Sequence, residues 1–384
     1  MKKIICFFRT FLISMLMLSG GAFLAPLAVG AADTAPDFGS MEAERSMELL
    51  YAEQFSADYY EGGYALITIK EGGRFLVVPE GLPVPENLDA DIAVIRKPLR
   101  NIYLVATSAM DLFCALDGTD AISLSGTDAS GWYVEKAREE MENGNIVYAG
   151  KYSAPDYELI LSKGCDLAVE STMIYHSPEV KEKLESFGIP VLVERSSYET
   201  HPLGRTEWLK LYAVLLGREE QAEELFAEQA EKLEAVSSEE NTGKTVAFFY
   251  ISSNGYVNVR KSSDYVAKMI ELAGGKYIFD SLGDSENALS TMNMQMEEFY
   301  AKAKDADYLI YNSTIDGELY TLDELFAKSS LLKDFKAVQN GNVYCTGKNL
   351  FQETMGLGTM IADIHTMLTS ETGVDEFTYM YRLK

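Results

Sequence analysis

Histidine is almost absent: His176, His201 and His365 are the only three among 384 residues. They fall in separate segments. The clustered imidazoles of a binuclear metal site, or of H-E-x-x-H, are therefore missing. G-x-S-x-G and the phosphate loop G-x-x-x-x-G-K-[ST] are missing too. Met355-Gly356-Leu357-Gly358 lacks the preceding strand and the Lys, and reads as a close packing site. Cysteine is scarce, at four residues: Cys6, Cys114, Cys165 and Cys345. The last three sit in apolar stretches without metal spacing. They read as buried thiols rather than ligands or a disulfide framework. Positive charge is short, with 33 Lys and Arg against 59 Asp and Glu, a net charge of −26. That balance argues against nucleic acid and anionic membrane surfaces as partners. After residue 29 no apolar run is long enough to cross a bilayer.

What is present is ordinary globular composition, 47% hydrophobic and 24% charged. Residues 1–32 read as an export signal. Lys2, Lys3 and Arg9 precede the apolar run from Phe11 to Val29, and Gly30, Ala31 and Ala32 offer a cleavage site. Retention of the segment as an anchor is the alternative. No cysteine follows the apolar region where a lipid anchor would need one. Residues 33–54 are expected to be a flexible tether. Residues 55–97 read as a hairpin flanking Gly72-Gly73, followed by a Pro- and Asp-rich loop.

From residue 98 to 204 apolar strands alternate with helices. Strands are expected at Ile102–Ala106, Ala121–Leu124, Ile146–Tyr148, Asp166–Val169 and Ile189–Val193. Ser108 with Asp111 reads as a capping box for the first helix. The pattern is an α/β lobe with a mostly parallel sheet and flanking helices. A second lobe of the same kind spans 241–384. Between them lies a helical connector, 205–240, in which Trp208, Leu211, Tyr212, Leu215, Leu225 and Phe226 recur at helical spacing. Gly217 is a natural stop, and Glu219 and Glu220 then open a second helix where the dipole favours acids. At about 1.5 Å per residue the connector is long enough to span from one lobe to the other.

In open α/β sheets ligands sit outside the carboxyl ends of the strands. The cleft candidates are therefore Trp132, Tyr133, Tyr175 and His176 in the first lobe. Tyr198, His201 and Arg205 lie around the connector. Tyr256, Arg260, Lys348 and Asn349 come from the second lobe. Aromatics with a few cations suit a bulky, flat or anionic ligand. The lobes also echo each other. Glu158 precedes Asp166 and its strand, as Glu297 precedes Asp307 and its strand. One exposed acid per lobe could meet a partner carrying paired arginines. Acids favoured by helix dipoles explain the same positions.

Five features in this order resemble the exported substrate-binding proteins of ABC importers for iron–siderophore complexes, haem and cobalamin. They are the export signal, Tyr157-Glu158-Leu159-Ile160-Leu161 leading to Asp166-Leu167-Ala168-Val169, and Leu184-Glu185-Ser186-Phe187-Gly188-Ile189-Pro190-Val191. Leu216-Gly217-Arg218-Glu219-Glu220-Gln221-Ala222 and Leu272-Ala273-Gly274-Gly275 complete the set. Cys165 stands where Pro is usual. The resemblance covers about residues 98–370 and implies two Rossmann-like lobes bridged by a helix, with little hinge motion. It implies an extracytoplasmic, monomeric, non-enzymatic protein without resident cofactor or metal. Its cargo would be a ferric siderophore, haem or a corrinoid. Its partner would be an ABC importer permease dimer, whose arginines Glu158 and Glu297 (or Glu298) would contact. Two other functions remain open, an exported bilobal enzyme such as a metal-dependent hydrolase and a ligand-binding sensor module.

Overall fold

Apolar runs broken by turn residues build three sheets in the computed structural model, which describes residues 35–282 and 291–384. The export signal expected at 1–32 lies outside the described residues. The first sheet comprises β1 (Ala43–Ser46), β2 (Phe55–Tyr60), β3 (Tyr64–Ile69), β4 (Gly73–Val78) and β5 (Ile92–Arg96), paired in that order. Its last pair is parallel and the others antiparallel. β3 and β4 are apolar on both faces because both are covered. Ala65, Ile67, Phe75 and Val77 join the core that contains Trp208. Tyr64, Leu66, Leu76 and Val78 lie under Phe38, Met41, Leu82 and Leu88. The expected hairpin at Gly72-Gly73 is β3–β4, and it is the middle of a five-stranded sheet whose β5 lies within the stretch expected to be a loop.

The expected tether is also corrected. Its second half is fixed by two buried carboxylates of the connector region. Glu207 accepts from the backbone N–H groups of Leu50, Tyr51 and Ala52 at 2.8–3.1 Å. Glu199 accepts from Glu53 and Gln54 at 2.9 and 3.0 Å, and from Trp208 Nε1 at 2.9 Å. An extended segment with no ladder of its own thereby satisfies its donors.

The first lobe holds β6 (Ile102–Leu104), β7 (Ile122–Ser125), β8 (Val147–Tyr148), β11 (Leu167–Ser171) and β12 (Val191–Glu194). The order is β12-β11-β6-β7-β8 and every pairing is parallel. A small ribbon, β9 (Gly150–Lys151) with β10 (Ala154–Pro155), follows β8. Helices α1 (Thr107–Ala115), α2 (Glu135–Glu142), α3 (Tyr157–Ser162) and α4 (Pro178–Ser186) cover the sheet. Leu167 and Val169 of β11 enter one core and Ala168 the other, as period-2 geometry requires. The capping box does not form: Ser108 lies inside α1, and its hydroxyl donates to Glu194 at 2.9 Å.

The connector is three helices: α5 (Pro202–Glu207), α6 (Leu209–Leu216) and α7 (Glu219–Ser237). Gly217 closes α6 with a left-handed φ of 70°, and Glu219 and Glu220 sit in the first turn of α7. α6 is apolar nearly all round because it is enclosed nearly all round.

The second lobe holds β13 (Thr245–Ile251), β14 (Val257–Arg260), β15 (Lys276–Tyr277), β16 (Thr291–Met294), β17 (Tyr308–Tyr311), β18 (Val343–Thr346) and β19 (Met380–Arg382). The order is β16-β14-β13-β17-β18-β19, with β15 beside the start of β13. β13, β17 and β18 are parallel, whereas β14 and β19 run against their neighbours. Its helices are α8 (Tyr265–Leu272), α9 (Met296–Ala303), α10 (Ser313–Asp316), α11 (Leu322–Lys328), α12 (Lys336–Gln339) and α13 (Leu357–Thr369). α7 packs on α6 on one side and on α13 on the other, which joins the lobes. The echo of Asp166 and Asp307 has a physical cause. Asp166 accepts from the N–H groups of Arg100 and Asn101, just before β6. Asp307 accepts from the Thr245 N–H at the start of β13.

Candidate functional site

The carboxyl edges of the two sheets face each other. The loop after β7 and the loop after β18 meet through Gln352, whose Oε1 accepts from the Tyr133 N–H at 2.7 Å. Its Nε2 donates to the Gly131 carbonyl at 2.9 Å. Nearby, the Thr354 hydroxyl donates to the Ser108 carbonyl, and Asp111 accepts from the Met355 N–H at 2.7 Å. Burial, opposed by the Met355 N–H and aided slightly by Glu353, pushes the Asp111 carboxyl up to about 6. These bonds stitch the floor of the cleft and leave its rim open.

The rim carries uncovered apolar surface. Tyr133 follows β7, Met173 and Tyr175 follow β11, Tyr256 follows β13 and Ile315 follows β17. Each exposes between 37 and 66% of its surface. All five lie in segments that follow strands of the two sheets. Lys348, after β18, places its ammonium 5.5 Å from the Tyr133 ring centre. His176, in the turn after β11, is exposed. Tyr133, Tyr175, His176, Tyr256 and Lys348 all lie in segments that follow strand ends, and Tyr133 and Lys348 are in contact.

Other candidates lie elsewhere. Trp132 is a core residue, not a cleft residue: its ring is buried and its Nε1 donates to the Ser125 hydroxyl. α2 begins only at Glu135, so Trp132 and Tyr133 sit in a loop where one turns in and the next out. Arg205 is buried with its guanidinium 4.2 Å over the Tyr265 ring, so it braces α5 against α8. Arg260 pairs with Asp264, the N-cap of α8, at 3.5 Å and lies over Phe351. It stiffens the second lobe instead of reaching across. His201 caps α5, its Nδ1 accepting from the Leu203 N–H, and stacks on Tyr51. Burial holds its pKa below the ordinary histidine value, which keeps the ring a neutral acceptor. Tyr198 is half-buried beneath the guanidinium of Arg195.

Arg195 is a residue the sequence pattern did not single out. It follows β12 directly, and a cation next to a strand's carboxyl end was the available signal. Its partners come from 20 and 124 residues away, which no local pattern reveals.

Glu158 and Glu297 are both exposed in the first turns of α3 and α9, helices that start at the carboxyl edges of their sheets. Neither makes an ion pair among the described residues, whereas Glu298 is engaged by Lys302 at 3.0 Å. Among the described residues no group of three or more His, Cys, Asp or Glu is arranged to hold a metal ion. No helix among them is long and apolar enough to cross a membrane. A separate cavity of about 830 Å³, framed by Glu42, Glu44 and Glu61, belongs to the N-terminal sheet and not to the strand ends.

A family model described as periplasmic binding protein matches residues 104–350. An uncharacterized lipoprotein of Methanocaldococcus jannaschii is 27% identical over 364 residues, spanning 88% of this chain and 83% of its own. The periplasmic heme-binding protein HutB of Vibrio cholerae superposes with a TM-score of 0.57 at 17% identity, over 70% of this chain and 98% of that one. The petrobactin-binding protein YclQ of Bacillus subtilis gives a TM-score of 0.56 at 12% identity, over 71% and 93%. At such identities the structural likeness speaks for the fold alone.

Proposed function

We propose that this chain, which belongs to the periplasmic binding protein family, captures a bulky metal chelate outside the membrane and delivers it to an ABC-type import permease. The observation that carries the reading is a set of exposed apolar side chains in segments after strand ends of both lobes, with Lys348 beside Tyr133 across the bonds made by Gln352. Tyr133, Tyr175, His176, Tyr256 and Lys348 are its ligand-facing residues. Flat or bulky chelates bury such aromatic faces, and an ammonium offsets their charge. The cargo class is the one printed in the names of two proteins of the same fold, for heme and petrobactin. The lipoprotein relative supports an extracytoplasmic location.

Calorimetric titration with haemin, a ferric siderophore and cyanocobalamin tests the reading. Saturable sub-micromolar binding of one class is expected, and no heat with any of them overturns it. Docking is tested separately. Glu158→Arg combined with Glu297→Arg is expected to abolish uptake of the bound chelate in cells while leaving its affinity within about twofold, since rim charges act on partner recognition. An equal loss of affinity would remove both acids from the docking role.

A further inference from the structure

Arg195 follows the last residue of β12 and is only 5% exposed. Its guanidinium lies 4.3 Å over the Tyr198 ring, its Nη1 donates to the Tyr175 hydroxyl at 3.2 Å, and its Nε has no partner. Among the described residues a single carboxylate pairs with it. That is Glu71, 3.1 Å from Nη2, at the tip of the β3–β4 hairpin. The pair is lopsided. Arg195 is almost wholly withdrawn from water, while the Glu71 side chain is 74% exposed.

The backbone at the hairpin tip is specialised at two positions beside this contact. Glu71 holds a left-handed φ of 55°, a conformation that favours glycine. Gly72 lets the tip lie flat, since a Cβ there would stand 2.4 Å from Ile69 Cγ2 and 3.6 Å from Arg195 Cδ. A buried cation needs an anion, whereas an exposed carboxylate loses little by swinging back into water. The position on Nη2 is therefore exchangeable.

We propose that Arg195 is the anion-recognising residue of the cleft and that Glu71 is its stand-in, displaced when a ligand presents a carboxylate to Nη2. The assignment rests on the chelate-capture reading and deepens it. Chelates bearing carboxylates are favoured over corrinoids without negative charge. The hairpin of the N-terminal sheet becomes part of the binding site. Tyr175, exposed beside the guanidinium, supplies a ring face for the same ligand.

The test has two arms on the full chain. The first titrates metal-free citrate and follows heat and thermal stabilisation. Glu71→Gln is expected to tighten citrate roughly tenfold, because the internal competitor is gone. Arg195→Gln is expected to abolish binding, and Arg195→Lys, which keeps the buried charge if the Gln variant does not fold, to weaken it. Citrate affinity equal in wild type, Glu71→Gln and Arg195→Lys, or absent from all, overturns the assignment. The second arm titrates haemin, ferric citrate and cyanocobalamin. Glu71→Gln should tighten the first two and leave the third unchanged, and a uniform change across the three also overturns it. If none of these binds while the citrate arm holds, chelate capture falls and the anion site stands.

Discussion

Glu207 and Glu170 are both carboxylates without solvent exposure, and the chain treats them in opposite ways. Glu207 receives three backbone N–H groups from residues 50–52 and the ammonium of Lys210 at 3.3 Å. Glu170, in β11, has no hydrogen-bond partner on either oxygen among the described residues. Burial pushes its carboxyl up to about 8. One acid is a fastener for a segment that has no ladder of its own. The other is kept neutral because nothing near it rewards ionisation. Burial alone therefore says nothing about the charge of a side chain; the donors around it decide.

Breaking the better-served acid should have the largest effect. Glu207→Ala leaves three N–H groups unpartnered, while Lys210 keeps Glu223 at 2.8 Å and the Glu48 carbonyl at 3.1 Å, and is expected to cost about 3 kcal/mol in urea unfolding, with protease cleavage appearing at residues 47–54. A loss below about 1 kcal/mol, with no new cleavage, would dissolve the contrast.

Glu170 gives the next effect and the opposite sign. Its folded pKa lies above the ordinary glutamate value of 4.5, so the folded state binds the proton more tightly. Stability is full below about pH 4.5 and is lost progressively as pH rises toward 8 and beyond. Glu170→Gln removes that slope and should be about 2 kcal/mol more stable than wild type at pH 9, with a small difference at pH 4. Parallel stability–pH curves for the two proteins would show that Glu170 finds a partner in solution.

The smallest effect sharpens the middle of the comparison. Glu199 resembles Glu207 in its donors, but Gln at that position keeps an acceptor for Trp208 Nε1. Glu199→Gln should cost about 1 kcal/mol, with tryptophan emission unchanged. A penalty as large as that of Glu207→Ala would mean that charge, not hydrogen-bond count, fastens the segment.

The lobes were legible because their signals are local. Apolar runs such as Val246–Phe249 and Leu309–Tyr311 read as buried strands, and both are. Gly217 reads as a helix stop and closes α6. What escaped is set by distant partners. Residues 47–54 look like a tether until Glu199 and Glu207, about 150 residues on, supply acceptors. Asp111 looks like half of a capping box until Met355, 244 residues on, claims it. Trp132 and Tyr133 are chemically alike neighbours, and only the Ser125 hydroxyl beneath one and Gln352 beside the other send them to opposite sides. Arg205 and Arg260 carry charge that composition shows, but their aromatic and acidic partners inside the fold do not appear in any short window.

The stitching at the cleft floor has a thermodynamic consequence. Gln352, Thr354 and Met355 bond to residues more than 200 positions earlier, and the first sheet shares its core with Trp208 and α6. Melting either lobe would strand buried donors and acceptors in the other. The chain should therefore unfold in a single calorimetric transition whose van't Hoff enthalpy matches the heat absorbed, as one cooperative unit despite its two lobes.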